Sequence, residues 1–580
     1  MSNSLFRTKK ISTILAESND DTHGGGGLKR VLTARDLTFF GIAAILGAGS
    51  FSSLGGAVFN GGPGVVVLFI ITAIACAFTA FCYSEFASRI PVAGSAYTYA
   101  YASFGELFAW IIGWALIMEY SIGNIYVAFS WSDYFTSFMD ESGLHIPHWL
   151  STSYTESKNA FTTNGNANDV NAWNTAPMLG GLKIILDLPA LIINILITYL
   201  VYRGIKESRN FSNVMVVLKM AVVALVILVG GYLVFSQGHT ANWMPANDEG
   251  IKSFMPNGFK GVMAAVAGVF FAYIGFDAVS VLAEESKNPQ KDLPKGMIYS
   301  LVICTVVYIL LTLVLTGAVN YRNFEGVGDP LAFIFEKENL NVGWMKLLVA
   351  VCAVIAMTSV LLVFQMGQPR IWMSMSRDGL LPPVFQKIHP KYKTPSFATI
   401  ITGVVVGLPI LFTDKTFVLD FTSIATLSAF VLVCGGVLLI PRREKQAGGF
   451  NMPFINGQFI FPLIVVGALI GVYFLSKSYY SDIFNFDFSG NADYVSGKKS
   501  FMDMAIPNIS IIIFWLIAIV LAIFTFIKKY SLIPLMGLIT CMYLLTGMTK
   551  ANWLWFLAWL AIGLVIYFAY GFKKSKLANT

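Results

Sequence analysis

Lysine and carboxylate side chains are costly inside apolar segments, and this sequence places several there. Lys219 stands alone in VMVVLKMAVVALV, and Glu119 stands in WALIMEYSIGNIY. Asp277, Glu284 and Glu285 close an apolar run that begins at Gly261. Ionisable groups in such runs mark ion pathways, proton relays or contacts to a charged solute. A buried lysine loses its proton readily because burial disfavours the charged form, so Lys219 is a candidate proton-coupling group. The competing reading has its ammonium snorkel to the nearer surface. Glu119 is a candidate proton site or partner of a positive group; otherwise it bonds structural backbone. Tyr273 and Phe276 are candidate pocket walls, with plain packing the alternative. Arg370 and Arg377 read as anchors and loop-pairing residues.

Backbone chemistry is signalled too. Residues 41–56 read GIAAILGAGSFSSLGG, and this apolar run of about twenty residues is long enough to cross a bilayer. Its middle holds Gly47, Ala48, Gly49, Ser50, Ser52, Ser53, Gly55 and Gly56. Glycine weakens a helix, and small hydroxyl residues compete for its hydrogen bonds. A break at bilayer depth is tolerated where its amides and carbonyls face protein or a wet cavity, and it can hold a small charged solute. Close helix packing through small residues is the plainer explanation. The run from Gly261 is interrupted again, at Gly268 and Gly275. The expectation is unwound backbone at 46–50 and at 271–275, facing a shared cavity.

The elements that must position these groups are membrane helices. The 580 residues are 56% hydrophobic and 12% charged, with a mean hydropathy of +0.68, which excludes an ordinary soluble globule. Fourteen apolar stretches follow one another, near 37–58, 64–87, 107–138, 184–202, 210–236, 259–284, 297–319, 344–376, 397–413, 417–440, 458–476, 507–527, 531–547 and 552–571. Lys and Arg concentrate in alternate loops, for example Arg203, Lys206 and Arg209, then Lys287, Lys291 and Lys295. The net charge of +7 is therefore an orientation signal that places both termini in the cytoplasm, and no nucleic-acid partner is implied. The opposite loops are longer and poorer in basic residues, notably 139–183. Residues 4–17 carry apolar and basic positions at helical spacing, so a short amphipathic helix is expected on the cytoplasmic membrane surface, joined by the flexible 24–27. No cleavable signal peptide is visible.

The organisation expected is a cytoplasmic segment 1–36, a first repeat 37–236, a second repeat 258–440, and four further spans with a tail over 441–580. Two glycine-broken spans at matching places in two five-span halves mark an inverted-repeat transporter. The six cysteines lie in apolar spans without a CxxC, and the five histidines lie in loops without ligand spacing. No metal, cofactor or enzymatic chemistry is therefore expected.

Longer stretches carry a resemblance. GIAAILGAG at 41–49, CYSEFASRIPVAGSAYTYAYASFGELFAWIIGW at 82–114 and FFAYIGFDAVSVLAEESKNPQKDLPKG at 270–296 resemble the amino acid–polyamine–organocation superfamily, specifically the cationic amino acid transporter family and its bacterial relatives. GQPRIWMSMSRDGLLP at 367–382 and WLAIGLVIYFAYG at 559–571 extend the match in family order. The resemblance implies an all-α polytopic membrane protein of two five-helix inverted repeats with broken first and sixth helices, plus four further helices, fourteen spans in total. It implies that an amino acid's carboxylate meets the amides of Ala48, Gly49 and Ser50. The α-amino group would meet the carbonyls of Ile45, Phe271, Ala272 and Ile274. Lys219 matches the lysine of proton-coupled members, and Glu119 matches a third-span glutamate. The chain departs from the pattern with Ser50 and Phe51 after the Gly-x-Gly, and with Asn124 and Tyr126, which would narrow the side-chain pocket. Tyr126 is thereby a candidate substrate or gating residue. Two extra spans, near 458–476 and 507–527, put analogies with accessory subunits or homo-oligomers in doubt.

The function expected is a plasma-membrane transporter that imports L-amino acids with protons by alternating access. An exchanger or uniporter without proton coupling, or a transporter-like sensor, is the alternative. A channel would need a continuous polar stripe or ring, whereas the polar residues here concentrate at two breaks.

Overall fold

The computed structural model describes residues 5–14, 32–47, 49–92, 94–163, 165–203, 209–247, 250–392, 394–440, 450–475, 477–489 and 500–578. Ala48 and the 24–27 link lie outside them. Helix runs through all fourteen apolar stretches, interrupted within the first and the sixth. Outside them the described residues hold shorter helices, such as Ser95–Ser103, Tyr154–Thr163 and Ala167–Thr175, and a two-residue hairpin, Met178–Leu179 with Leu182–Lys183.

The first stretch is two helices, α1 (Ala34–Ile45) and α2 (Leu54–Gly61), joined through a π-helical turn at Gly49–Ser53. Thr33 and Asp36 form a capping box that starts α1. Then come α3 (Val65–Arg89), the short α4 (Ser95–Ser103) and α5 (Glu106–Glu141). Next are α6 (Leu188–Arg203) and α7 (Arg209–Ser236). The sixth stretch is again divided. Helix α8 (Val266–Tyr273) ends at Ile274 in extended backbone, and a 3-10 segment resumes at Asp277–Glu285. Beyond it run α9 (Pro289–Ala318), α10 (Gly343–Arg377), α11 (Ser396–Ile410) and α12 (Lys415–Leu439). The last four are α13 (Ile460–Leu475), α14 (Phe501–Lys528), α15 (Leu532–Leu545) and α16 (Lys550–Ile566).

Among the described residues nine helical runs are long and apolar enough to cross a membrane, and the first of them, Ala34–Arg89, contains α1, α2 and α3 in sequence. Four shorter apolar helices accompany them. The long α5 and α10 pack along each other, α9 packs on α1 and α3, and α12 packs on α5 and α15. One continuous apolar core results, because helices that are apolar on every face bury some faces against neighbours and leave the rest to lipid. Helices α13 and α14 stand outside it. Phe461, Val465, Phe514, Ala518 and Ala522 make a small satellite core with Leu535 and Ile539 of α15. Helix α16 is joined to α5 by stacked indoles, Trp114 on Trp559 at 4.7 Å. Each of these indoles donates its N–H to the other residue's carbonyl, at 2.8 and 3.0 Å.

The N-terminal segment differs from the expected surface helix. Only Ile11–Ile14 of the described part is helical, and residues 5–9 lie against protein. The reason is charge: Arg7 and Lys9 find the buried Glu106 and the half-buried Asp378, at 3.0 and 2.8 Å. Residues 15–17 lie outside the described set.

Candidate functional site

The two breaks lie against each other. A Cβ on Gly49 would stand 2.6 Å from the Ala272 Cα, and one on Gly275 would stand 2.8 Å from the Ala44 Cβ. Glycine in each break therefore lets the backbone of the other approach. Gly275 also needs its freedom for φ +116°. Ser53 ties the breaks from the side, its hydroxyl lying 2.8 Å from the Gly49 carbonyl and 3.1 Å from that of Gly268.

The sequence-predicted residues come together here, with three corrections. The second break falls at 274–276 and not at 271–275, because Phe271, Ala272 and Tyr273 remain in α8. The first is unwound only just after Ile45, since a π turn resumes at Gly49 and takes the Ser50 amide into a 3.1 Å bond to the Gly47 carbonyl. That amide is thus not open to a carboxylate. Third, among the described residues the breaks pack against each other and do not line the cavity below. Ile45, Ser50, Phe271, Ala272 and Ile274 are buried, and Gly49 is pressed on Ala272.

A cavity of about 700 Å3 does exist, and it ends one turn away, at Ser52, Ser53, Gly268 and Tyr126. It opens at the face formed by the long loop after α5 and the segment before α10. Tyr126 forms its floor: the ring packs edge-on to Phe271 at 4.6 Å, and the hydroxyl reaches Ser52 at 3.4 Å. Asn124 does not narrow this space, because its amide pairs with that of Gln365 in α10 at 2.9 Å. Tyr273 and Phe276 are fully buried packing residues and wall no pocket. Tyr273 bonds the Phe69 carbonyl, and Phe276 lies against Phe430.

Beneath the floor one hydroxyl joins both breaks. Tyr308 of α9 lies 2.8 Å from the Ile45 carbonyl and 2.7 Å from that of Ala272. It brings a single proton to two buried acceptors, of which the Ile45 carbonyl also accepts from the Gly47 amide at 2.9 Å, so the Ala272 carbonyl depends on this hydroxyl alone among the described residues. Sequence reasoning passed Tyr308 over, since one tyrosine among aliphatics carries no local signal. It also passed over Asp133 and Lys415, which form an ion pair across the cavity between α5 and α12. Asp133 lies inside an apolar stretch and was legible by the same rule as Glu119.

Lys219 is buried in α7. Its ammonium donates to Ser359 Oγ of α10 at 2.6 Å and to the Ala43 carbonyl of α1 at 3.3 Å. It points inward and does not snorkel. Glu119 is buried in α5 with Oε2 unpartnered. Asp277 Oδ1, the hydroxyls of Tyr83 and Tyr120, and Gln368 Oε1 are also without partners. Glu284 and Glu285 have side chains outside the described set.

The cavity wall is acidic. Asp133, Asp140, Glu156, Asp169, Asp187, Glu325, Asp329 and Glu336 line it, against Lys346, Lys415 and His148. Asp329, in the loop before α10, has its carboxyl pushed up to about 7, first by burial and then by Asp133 and Glu336. The folded chain keeps this proton at pH values where the unfolded chain, titrating near ~3.9, has lost it. Stability from this group therefore falls as pH rises from ~4 through about 7. Asp329→Asn is expected to raise the unfolding midpoint by roughly 3 °C at pH 8 and to leave it unchanged at pH 4. Thermal unfolding in detergent at the two pH values checks this, and equal shifts at both would refute it.

Broken, mutually packed helices beside a cavity that opens to one face define a membrane transporter of the permease class. Comparison with known proteins gives the family. The model for amino acid permease matches residues 32–485, and a second, for the C-terminus of AA permease, matches 530–575. The chain belongs to the amino acid permease family, within the amino acid–polyamine–organocation superfamily. It is 37% identical over 577 residues to the branched-chain amino acid permease BcaP of Bacillus subtilis (strain 168), covering 100% of both chains. It is 39% identical over 472 residues to the methylthioribose transporter of the same organism, covering 80% of this chain and 92% of that one. It is 35% identical over 440 residues to the vacuolar cationic amino acid transporter 4 of Arabidopsis thaliana, covering 76% and 67%.

Proposed function

We propose that the chain imports L-amino acids with protons, by alternating access around the paired breaks, in the plasma membrane with both termini cytoplasmic. In this reading 37–236 and 258–440 are inverted five-span repeats, and four further spans bring the total to fourteen. The observation that carries it is the convergence of the Ile45 and Ala272 carbonyls on one hydroxyl. A substrate ammonium brings three N–H donors and a charge to the same acceptors, and charge-assisted bonds are about twice as strong as neutral ones. The substrate carboxylate is held by the first break around Gly49, with Ser52 and Ser53 at the cavity floor. The outward cavity is the entry path, and opening the breaks to it completes the site. Lys219, bonded to α1 and α10, carries the coupling proton. Glu119 and Asp277, each with one carboxylate oxygen unpartnered, suit a proton in transit.

The side-chain end favours an uncharged apolar substrate. The Tyr126 and Phe271 rings wall it, and the Lys415 ammonium beside the Tyr126 ring is already paired with Asp133, so this end offers no unpaired charge to a substrate side chain. The full-length similarity to a branched-chain permease agrees with this. Uptake by the purified chain in liposomes under an inward pH gradient, with competition by the twenty amino acids, is the test. Leucine, isoleucine and valine are expected to compete, and arginine and lysine are not. Preference for a cationic substrate would overturn the assignment of the side-chain end, and uptake indifferent to the gradient would overturn proton coupling.

A further inference from the structure

The face opposite the cavity carries the first and last described residues and a set of largely buried charges that the transport reading does not use. Residues 5–9 run along the junction of α4 and α5. The Lys9 amide donates to the Tyr101 carbonyl at 3.2 Å, the Glu106 amide to Arg7 at 2.9 Å, and the Leu107 amide to Leu5 at 3.2 Å. The Arg7 guanidinium pairs with Glu106 at 3.0 Å and covers the Phe572 ring at 5.2 Å. The Lys9 ammonium pairs with Asp378, at the end of α10, at 2.8 Å. The tail after α16 reaches the same two acids. Tyr567 and Ser575 donate their hydroxyls to Glu106, and the Lys576 amide donates to the Asp378 carbonyl at 3.1 Å.

We infer that the N-terminal peptide is a latch that holds this face closed, and that an anionic membrane surface lifts it. The inference rests on the transport reading only for what the latch controls; its position can be measured without transport. Two features make it a two-state element. First, neither acid is stranded when the peptide leaves. Glu106 keeps the hydroxyls of Tyr101, Tyr567 and Ser575, and Asp378 keeps that of Tyr97 at 2.6 Å. An ion pair whose removal left a bare buried carboxylate could not serve as a switch. Second, the peptide has another place to go. Arg7, Lys9 and Lys10 lie among Leu5, Phe6, Ile11 and Ile14, and Phe6 is already exposed. Basic residues interspersed with apolar ones bind an anionic leaflet. Membrane and acids thus compete for the same cations.

The latch has something to restrain. Helix α4 lies between the peptide and the 3-10 segment after the second break, where Ser280 donates to Ser95 Oγ at 2.9 Å. Release of substrate toward the terminal face requires that contact to part. A seated peptide, bonded to Tyr101 of α4 and to Asp378 beside Tyr97, backs α4 against the segment.

The test uses the full-length chain carrying Thr8→Cys, labelled with an environment-sensitive dye. Thr8 is exposed and the six native cysteines are buried, so the label is selective. Vesicles of phosphatidylcholine alone are compared with vesicles containing about 30% phosphatidylglycerol. The anionic vesicles are expected to shift the dye emission to the blue and to raise amino acid uptake at least threefold. Arg7→Ala with Lys9→Ala is expected to take up amino acid at the raised rate in both vesicles. Asp378→Asn, which keeps the shape and loosens Lys9, is expected to release the dye at a lower phosphatidylglycerol content, and it decides the matter should the double variant fail to fold. No dye response to anionic lipid, or a double variant that keeps the wild-type lipid dependence, would overturn the proposal. A dye response without any uptake of amino acids would support the latch and refute the transport reading.

Discussion

Lys219→Ala is expected to lower pH-gradient-driven accumulation of amino acid at least tenfold while exchange across the membrane continues. The ammonium joins three helices: α7, which carries it, α10 through Ser359 and α1 through the Ala43 carbonyl. The last contact lies in the turn before the first break, so the hold on α1 depends on whether the nitrogen carries its third proton. Neutral lysine donates less and loses its charge-assisted bond, and α1 is freed to move. Proton occupancy and the position of α1 are then linked, and the linkage is reciprocal. Alanine removes the proton site and leaves the substrate contacts in place, so exchange persists. Uptake into proteoliposomes with and without a gradient, alongside counterflow, separates the two. A folded Lys219→Ala that accumulates substrate like wild type would sink the assignment.

The second large effect is expected at Gly49. One methyl group there would stand 2.6 Å from the Ala272 Cα and 3.2 Å from its carbonyl oxygen. Both are backbone atoms of the opposing break, and no side chain can turn aside to make room. Gly49→Ala should therefore force the breaks apart and separate the Ile45 and Ala272 carbonyls that Tyr308 spans. More than tenfold weaker substrate binding is expected, with Gly49→Leu abolishing it. Gly56→Ala is the control, since an added Cβ there meets nothing within 4 Å. Substrate-induced thermal shift in detergent reports binding without transport. Wild-type affinity in Gly49→Ala would show that the ammonium and carboxylate dock elsewhere.

What the sequence made legible, and what it hid, follows one physical line. Helix positions were readable because a bilayer-spanning helix needs a long apolar run, and each such run has its helix. The existence of both breaks was readable from Gly47, Gly49 and Gly275. Their registers were not: Phe271 to Tyr273 are good helix residues beside one break, and the π turn at Gly49–Ser53 recovers hydrogen bonds beside the other. That the cavity stops at Ser52 and Ser53 depends on how closely Gly49 meets Ala272, a distance set by tertiary packing. Tyr308, the Asp133–Lys415 pair and the docking of Arg7 and Lys9 all depend on partners far along the chain. Lys9 and Asp378 are 369 residues apart. Helical spacing in 4–17 pointed to a membrane surface because the acids that hold the peptide lie beyond any local window.

Glu106 is synthesised early and satisfied late. Two of its donors, Tyr567 and Ser575, are made after the whole helix bundle that separates them from Glu106, while Arg7 is made before it. Through most of biosynthesis the carboxylate at the start of α5 can hold only the N-terminal arginine and its neighbour Tyr101. A chain cut short of residue 567 therefore leaves this buried acid with two of its donors missing.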